Sequence, residues 1–134
     1  MFYRRGFTSA FFALGIAFSY VDAVRADASM DRVFQKLEPE ERAHQVCDLK
    51  GIDAVRKGTH LKGVDRVKTS IAEPAKFKNN VVIANGGAVR ANHRWYTLKY
   101  TCAVTSDQMR ATAFDFKLGD EIPEAKWEDF GLWK

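Results

Sequence analysis

The sequence predicts an α+β domain in which N-terminal helices pack on an antiparallel meander sheet of four to five strands, with a short helix at the C-terminus. Three observations lead there. Apolar residues recur at helical spacing between Val33 and Val55, and alternate with a period of two from Val67 to Leu118. Both cysteines, Cys47 and Cys102, fall on the inward positions of their own patterns, one helical and one extended.

The first residues read as an export signal. Arg4 and Arg5 supply a positive start, Phe7 to Val21 an uncharged apolar stretch, and Val24-Arg25-Ala26 or Ala26-Asp27-Ala28 the small residues a signal peptidase needs. An uncleaved anchor is the poorer reading, because 15 residues that include Ser9, Gly15 and Ser19 are short for a bilayer span. No cysteine in the signal invites lipidation. The expected division is a signal peptide over residues 1–26 and a single domain over 27–134, in the periplasm or secreted, with no stable membrane span after cleavage. The 108 residues left after position 26 suffice for one core and are too few for two.

In chain order, Ser29 is placed to cap a helix from Met30 to Leu37, with Val33, Phe34 and Leu37 on one face. Pro39 opens a second helix with Glu40 and Glu41 at its positive end and an apolar stripe of Ala43, Val46, Cys47 and Leu49. Gly51 is expected to break or kink it, and one or two more turns run to Gly58. Val67, Thr69 and Ile71 alternate with Arg66, Lys68 and Ser70 in a strand that Pro74 ends. Val81 to Ala84 forms a short strand, Asn85-Gly86-Gly87 a turn needing positive φ, and Ala88 to Ala91 the return. The longest strand runs from Arg94 to Thr105. It sends Tyr96, Leu98, Tyr100, Cys102 and Val104 to the core and Trp95, Thr97, Lys99, Thr101 and Ala103 outward. The last strand turns Thr112, Phe114, Phe116 and Leu118 inward, and Pro123 opens a helix from Glu124 to Phe130.

Two cysteines in an oxidising compartment pair, and a bridge across 55 residues constrains the unfolded chain by about 4 kcal/mol. Such a bond would staple the helical layer onto the sheet. A metal site is a poor alternative, since no C-x-x-C or H-x-x-x-H spacing accompanies the pair.

The ordered set Cys47-Asp48, Asp65-Arg66-Val67, Gly86-Gly87-Ala88-Val89-Arg90, Trp95-Tyr96-Thr97-Leu98, Tyr100-Thr101-Cys102, Phe114-Asp115-Phe116, Leu118-Gly119, Ile122-Pro123, Trp127 and Leu132-Trp133 resembles a family of small exported alphaproteobacterial proteins, domain of unknown function family nine-thirty. The resemblance spans Leu37 to Trp133. It implies export, a two-cysteine framework and a single domain, and it supplies no catalytic residue. The Lys57 to Lys62 segment and the Asn79-Asn80 turn depart from the pattern.

Little else carries chemistry. No nucleophile elbow, zinc-protease helix, phosphate loop or EF-hand occurs. His44 and Asp48 stand four apart with Glu40 a turn earlier, which suits half of a metal site, but a third ligand is missing and a surface pair is the plainer outcome. His60 and His93 fall in loops. No catalytic residue, metal or cofactor is expected, and an enzyme is not. Charge is more informative. The chain carries +4, or +2 without its signal, yet Arg42 to Arg110 holds 13 basic against five acidic residues between two acidic ends. Arg66, Lys68, Arg94, Trp95 and Lys99 are the candidate binding residues on the outward sheet face, with an ordinary solvated face as the plainer reading. The expected function is a non-catalytic envelope module that binds an anionic envelope component or an acidic protein. A protein-binding inhibitor or assembly factor is the alternative, and a hydrolase ranks third. Nucleic acid is excluded by location.

Overall fold

The computed structural model describes residues 19–134, with side chains described from residue 27. The candidate signal therefore lies outside the described residues up to position 18. Helix α1 (Ser19–Gln35) runs unbroken through Ala26, Ala28 and Ser29, so Ser29 lies inside the helix and does not cap it. Among its described side chains only Phe34 is buried, while Met30 and Val33 are exposed. Its end is held from the neighbouring helix: the Arg42 guanidinium donates to the carbonyls of Phe34, Gln35 and Leu37 at 2.8, 3.3 and 2.8 Å, at the end where a helix runs short of backbone donors. Arg110 pairs with Asp31 at 2.9 Å and ties α1 to the sheet.

Helix α2 (Pro39–Gly58) begins as expected, with Pro39 in its first turn, Glu40 and Glu41 at its positive end and Arg56 and Lys57 at its negative end. Gly51 does not interrupt it. The residue is buried under the Phe114 ring, where an added Cβ would come within 2.8 Å of Cζ, so this glycine makes room and does not break the helix. Ala43, Val46, Cys47 and Val55 are buried, whereas Leu49 is exposed.

Strands β1 (Val64–Lys68), β2 (Lys76–Lys78), β3 (Val81–Ala91), β4 (Arg94–Val104) and β5 (Ala111–Glu121) form one antiparallel sheet in the order β1-β3-β4-β5, and β2 also pairs with β3. The expected turn at Asn85-Gly86-Gly87 does not exist. β3 passes through it with a bulge between Ala84 and Gly87. These glycines serve close approach: a Cβ on Gly86 would lie 2.7 Å from the Glu73 nitrogen, and one on Gly87 would lie 2.9 Å from the carbonyls of Lys68 and Leu98. The hairpin turns are instead Asn79-Asn80, with φ of 52° and 57°, and Asn92-His93, with φ of 50° and 62°. Two central residues at positive φ suit the right-handed twist of the flanking strands.

α2 packs on one sheet face, over Val67, Val89, Leu98, Tyr100 and Cys102, with Phe114 and Phe116 at its side. Thr112 is exposed because a bulge beside it shifts the β4–β5 register, which pairs Ala113 with Ala103 and Ala111 with Val104. Cys47 and Cys102 are bonded across 6.0 Å between Cα atoms, so the helix is stapled to the longest strand.

The opposite face is also covered at one end. Trp95 does point away from α2, as alternation requires, but it is fully buried and not exposed. Ile122, Trp127 and Leu132 close over it and Ala88 as a second small core. Its indole Nε1 donates to the Trp133 carbonyl at 2.7 Å. The segment that does this is a 3-10 turn (Glu124–Lys126), shorter than the expected helix to Phe130. Gly131, at φ 64°, ends the coil: its N–H donates to the Glu128 carbonyl and that of Leu132 to the Trp127 carbonyl, with Leu132 packed beside Trp127. No described helix is long and apolar enough to cross a membrane.

Candidate functional site

β1 is an edge strand, and beside it lies a cleft of about 600 Å³. α2 supplies one wall with Glu41, His44, Gln45, Asp48, Leu49 and Ile52. β1 and the residues after it supply the other, from Asp65 to Ser70, and Trp133 closes the end. The volume is that of a small-molecule site.

Asp48 stands out in this cleft. The disulfide at Cys47 and Cys102 holds its segment of α2 against β4, and Thr69 and Tyr100 approach it from the sheet. Both hydroxyls gather at one carboxyl oxygen: Thr69 Oγ1 donates to Oδ1 at 2.7 Å, and Tyr100 OH lies 2.8 Å from Thr69 Oγ1 and 3.3 Å from Oδ1. The second oxygen, Oδ2, has no hydrogen-bond partner among the described residues, and Asp48 lines the cleft. Burial pushes the Asp48 carboxyl up to about 7, although the two hydroxyls and the charges of Arg66 and Lys68 pull the other way. Burial beside that carboxylate also raises Tyr100.

His44 and Asp48 do not act as a pair. Among the described residues, Glu40 Oε1 lies 3.9 Å from the His44 Nε2, and that nitrogen is buried without a hydrogen-bond partner. Burial lowers the His44 imidazole, with Glu40 and Glu41 opposing. Among the described residues no group of three His, Cys, Asp or Glu is placed to hold a metal ion.

The five candidate binding residues do not form one patch. Arg66 and Lys68 converge on the Trp133 ring, at 5.7 and 5.2 Å from its centroid, together with Arg90 at 5.6 Å. Arg90 is occupied by Asp65, at 2.9 and 2.7 Å, while among the described residues neither Arg66 nor Lys68 has a carboxylate within ion-pair distance. Lys68 Nζ donates to the Gly131 carbonyl at 3.2 Å, which seats the C-terminal turn. Arg94 pairs with Glu121 at 3.3 Å beside the β3–β4 turn. Lys99 lies opposite Lys117, in a separate shallow depression with Asn85 and Asp115. Trp95 is interior, with Trp133 edge-on to it at 5.5 Å, so Trp133 is the exposed aromatic that accompanies the cations.

Two features escaped the sequence: the meeting of Trp133 with Arg66 and Lys68, and the burial of Asp48. Asp48 meets the inward Thr69 and Tyr100 only in space, and no local spacing announces it. The fold and cleft define a disulfide-stapled α+β domain with a basic strand edge. The chain belongs to the family Domain of Unknown Function (DUF930), whose pattern matches residues 34–132. No curated protein and no solved structure matches it.

Proposed function

We propose that the protein is an exported, non-catalytic binding module of the cell envelope, which holds an anionic envelope component against Arg66, Lys68 and Trp133. The carrying observation is the convergence, on an exposed indole at the rim of the cleft, of two cations that have no carboxylate partner among the described residues. Export is supported by the composition of the first residues and by the Cys47–Cys102 bond, since disulfides persist in oxidising compartments. The cations attract the ligand through exposed, screened interactions, and Trp133 adds apolar contact that salt does not screen. Arg94 and Lys99 lie apart from this rim, so they contribute at most a diffuse positive field.

The experiment is co-sedimentation of the wild type and of an Arg66→Glu/Lys68→Glu variant with an envelope fraction at about 0.1 M and about 1 M salt, between which the screening length falls from about 10 to about 3 Å. Binding should be lost at high salt and in the folded variant at low salt. Equal binding by both proteins at both salts would remove this rim from the account.

A further inference from the structure

We infer that the ligand of the α2–β1 cleft is an acidic saccharide, its anionic group held by Arg66 and Lys68 and a hydroxyl held by the free oxygen of the Asp48 carboxyl. This rests on the anion-binding reading above and adds the chemistry of the rest of the ligand.

The argument starts from what the cleft offers beyond charge. An anion alone would need only the rim cations and would be repelled by an ionised Asp48 on the same cleft wall. Yet Asp48 sits there with Oδ1 fixed by Thr69 and Tyr100 and with Oδ2 unpartnered among the described residues. A group that donates a hydrogen bond would satisfy Oδ2, and it must sit on the same molecule as the anion. Gln45 and Ser70 add further polar side chains, and Leu49, Ile52 and Trp133 add apolar surface. Hydroxyls on an apolar ring face, with one carboxylate or other anion attached, match that lining. A phosphoglycerol head group also carries hydroxyls beside its anion, but it has no apolar ring face to lay against Leu49, Ile52 and Trp133. An acidic peptide strand on the β1 edge would use the cations and backbone, and would leave Asp48 without a role.

The arrangement also makes binding proton-linked. The groups facing Asp48 are Glu41 and His44 from α2, Asp65, Arg66 and Lys68 from β1, and Tyr100 from β4. Burial lowers the His44 imidazole and raises the Asp48 carboxyl to about 7. Asp48 is thus the group whose charge changes, and an incoming anion favours its protonated form. A protonated Asp48 still accepts and also donates, so the saccharide contact survives.

The test is titration calorimetry of the protein with trigalacturonate, hexaglutamate, inorganic phosphate and phosphatidylglycerol vesicles, at about pH 5.5 and about pH 8.5. Trigalacturonate should bind best, and its affinity should fall about tenfold over that range, as expected for one carboxyl titrating beside an anion. Asp48→Asn should bind it with no pH dependence, which assigns the proton to Asp48 and not to His44. Asp48→Leu, checked for folding by circular dichroism, should lose about tenfold for trigalacturonate at the lower pH and nothing for phosphate. Equal or tighter binding of hexaglutamate or vesicles, with Asp48→Asn like wild type, overturns the saccharide and leaves the anion site standing. Binding of none of the four probes at either pH overturns both.

Discussion

Asp48 should make this protein less stable as the pH rises through the neutral range, and Asp48→Asn should remove that loss. Its carboxyl stands at about 7 in the folded chain against the usual 3.8. Between those values the native state holds a proton that the unfolded state has released, so unfolding free energy falls with rising pH, by at most about 1.4 kcal/mol per unit. The contribution is fully present below the unfolded value and gone above about 7. Across the whole gap this is equivalent to about 4 kcal/mol, and half of that is a large share of a small domain's stability. Asn keeps an oxygen for the Thr69 and Tyr100 hydroxyls and never ionises. Urea unfolding at constant salt, from about pH 4.5 to about pH 8.5, reads the difference by linear extrapolation. The variant should exceed wild type by only about 1 kcal/mol at the acid end and by about 2 to 4 kcal/mol at the alkaline end. Asp31, Asp53, Asp65 and Asp107, all held low by hydrogen-bonding partners, lose their contribution only as pH falls below the usual carboxylate range, outside this window. Equal slopes for the two proteins would refute a buried, proton-holding Asp48.

Replacing Cys47 and Cys102 together by alanine should cost about 4 kcal/mol for a bridge spanning 55 residues. Alkylation of the unreduced protein should add no label to either cysteine, and uptake of two labels would deny the bond. Trp95→Ala should destabilise by about 3 to 5 kcal/mol in the same urea assay, because it empties the second core and strands the Trp133 carbonyl. A change below about 0.5 kcal/mol would return Trp95 to the surface. Intact mass of protein recovered from the envelope should show cleavage after Ala26 or Ala28, and residues 1–26 still attached would favour an anchor over export and release.

Much of the architecture was legible because periodicity survives folding. The period-two run from Tyr96 to Val104 assigned the core face of β4, and the helical stripe from Ala43 to Cys47 assigned that of α2, which placed both cysteines inward. Glycine misled twice, at Gly51 and at Gly86-Gly87. There it serves close packing against Phe114 and against the backbone of Glu73, Lys68 and Leu98, a need that exists only in three dimensions. Asparagine and histidine made the tight turns in its place. Alternation also gave Trp95 its correct face, but it says nothing of what a distant segment lays over that face. The C-terminal turn does so from Ile122 onward. The same limit hid the site, since Asp48, Thr69 and Tyr100 come from three elements, and Trp133 meets Arg66 and Lys68 across the sheet edge.

The measurement that bears most directly on the binding rim is a nitrogen-proton correlation titration of the labelled protein with anionic material extracted from the envelope. The indole of Trp133 and the amides of Arg66, Lys68 and Thr69 should shift together and saturate, and the shifts should collapse at high salt or in Arg66→Glu/Lys68→Glu. Shifts confined to β5 or to the depression at Lys99, with Trp133 unmoved, would contradict a ligand held at the β1 edge.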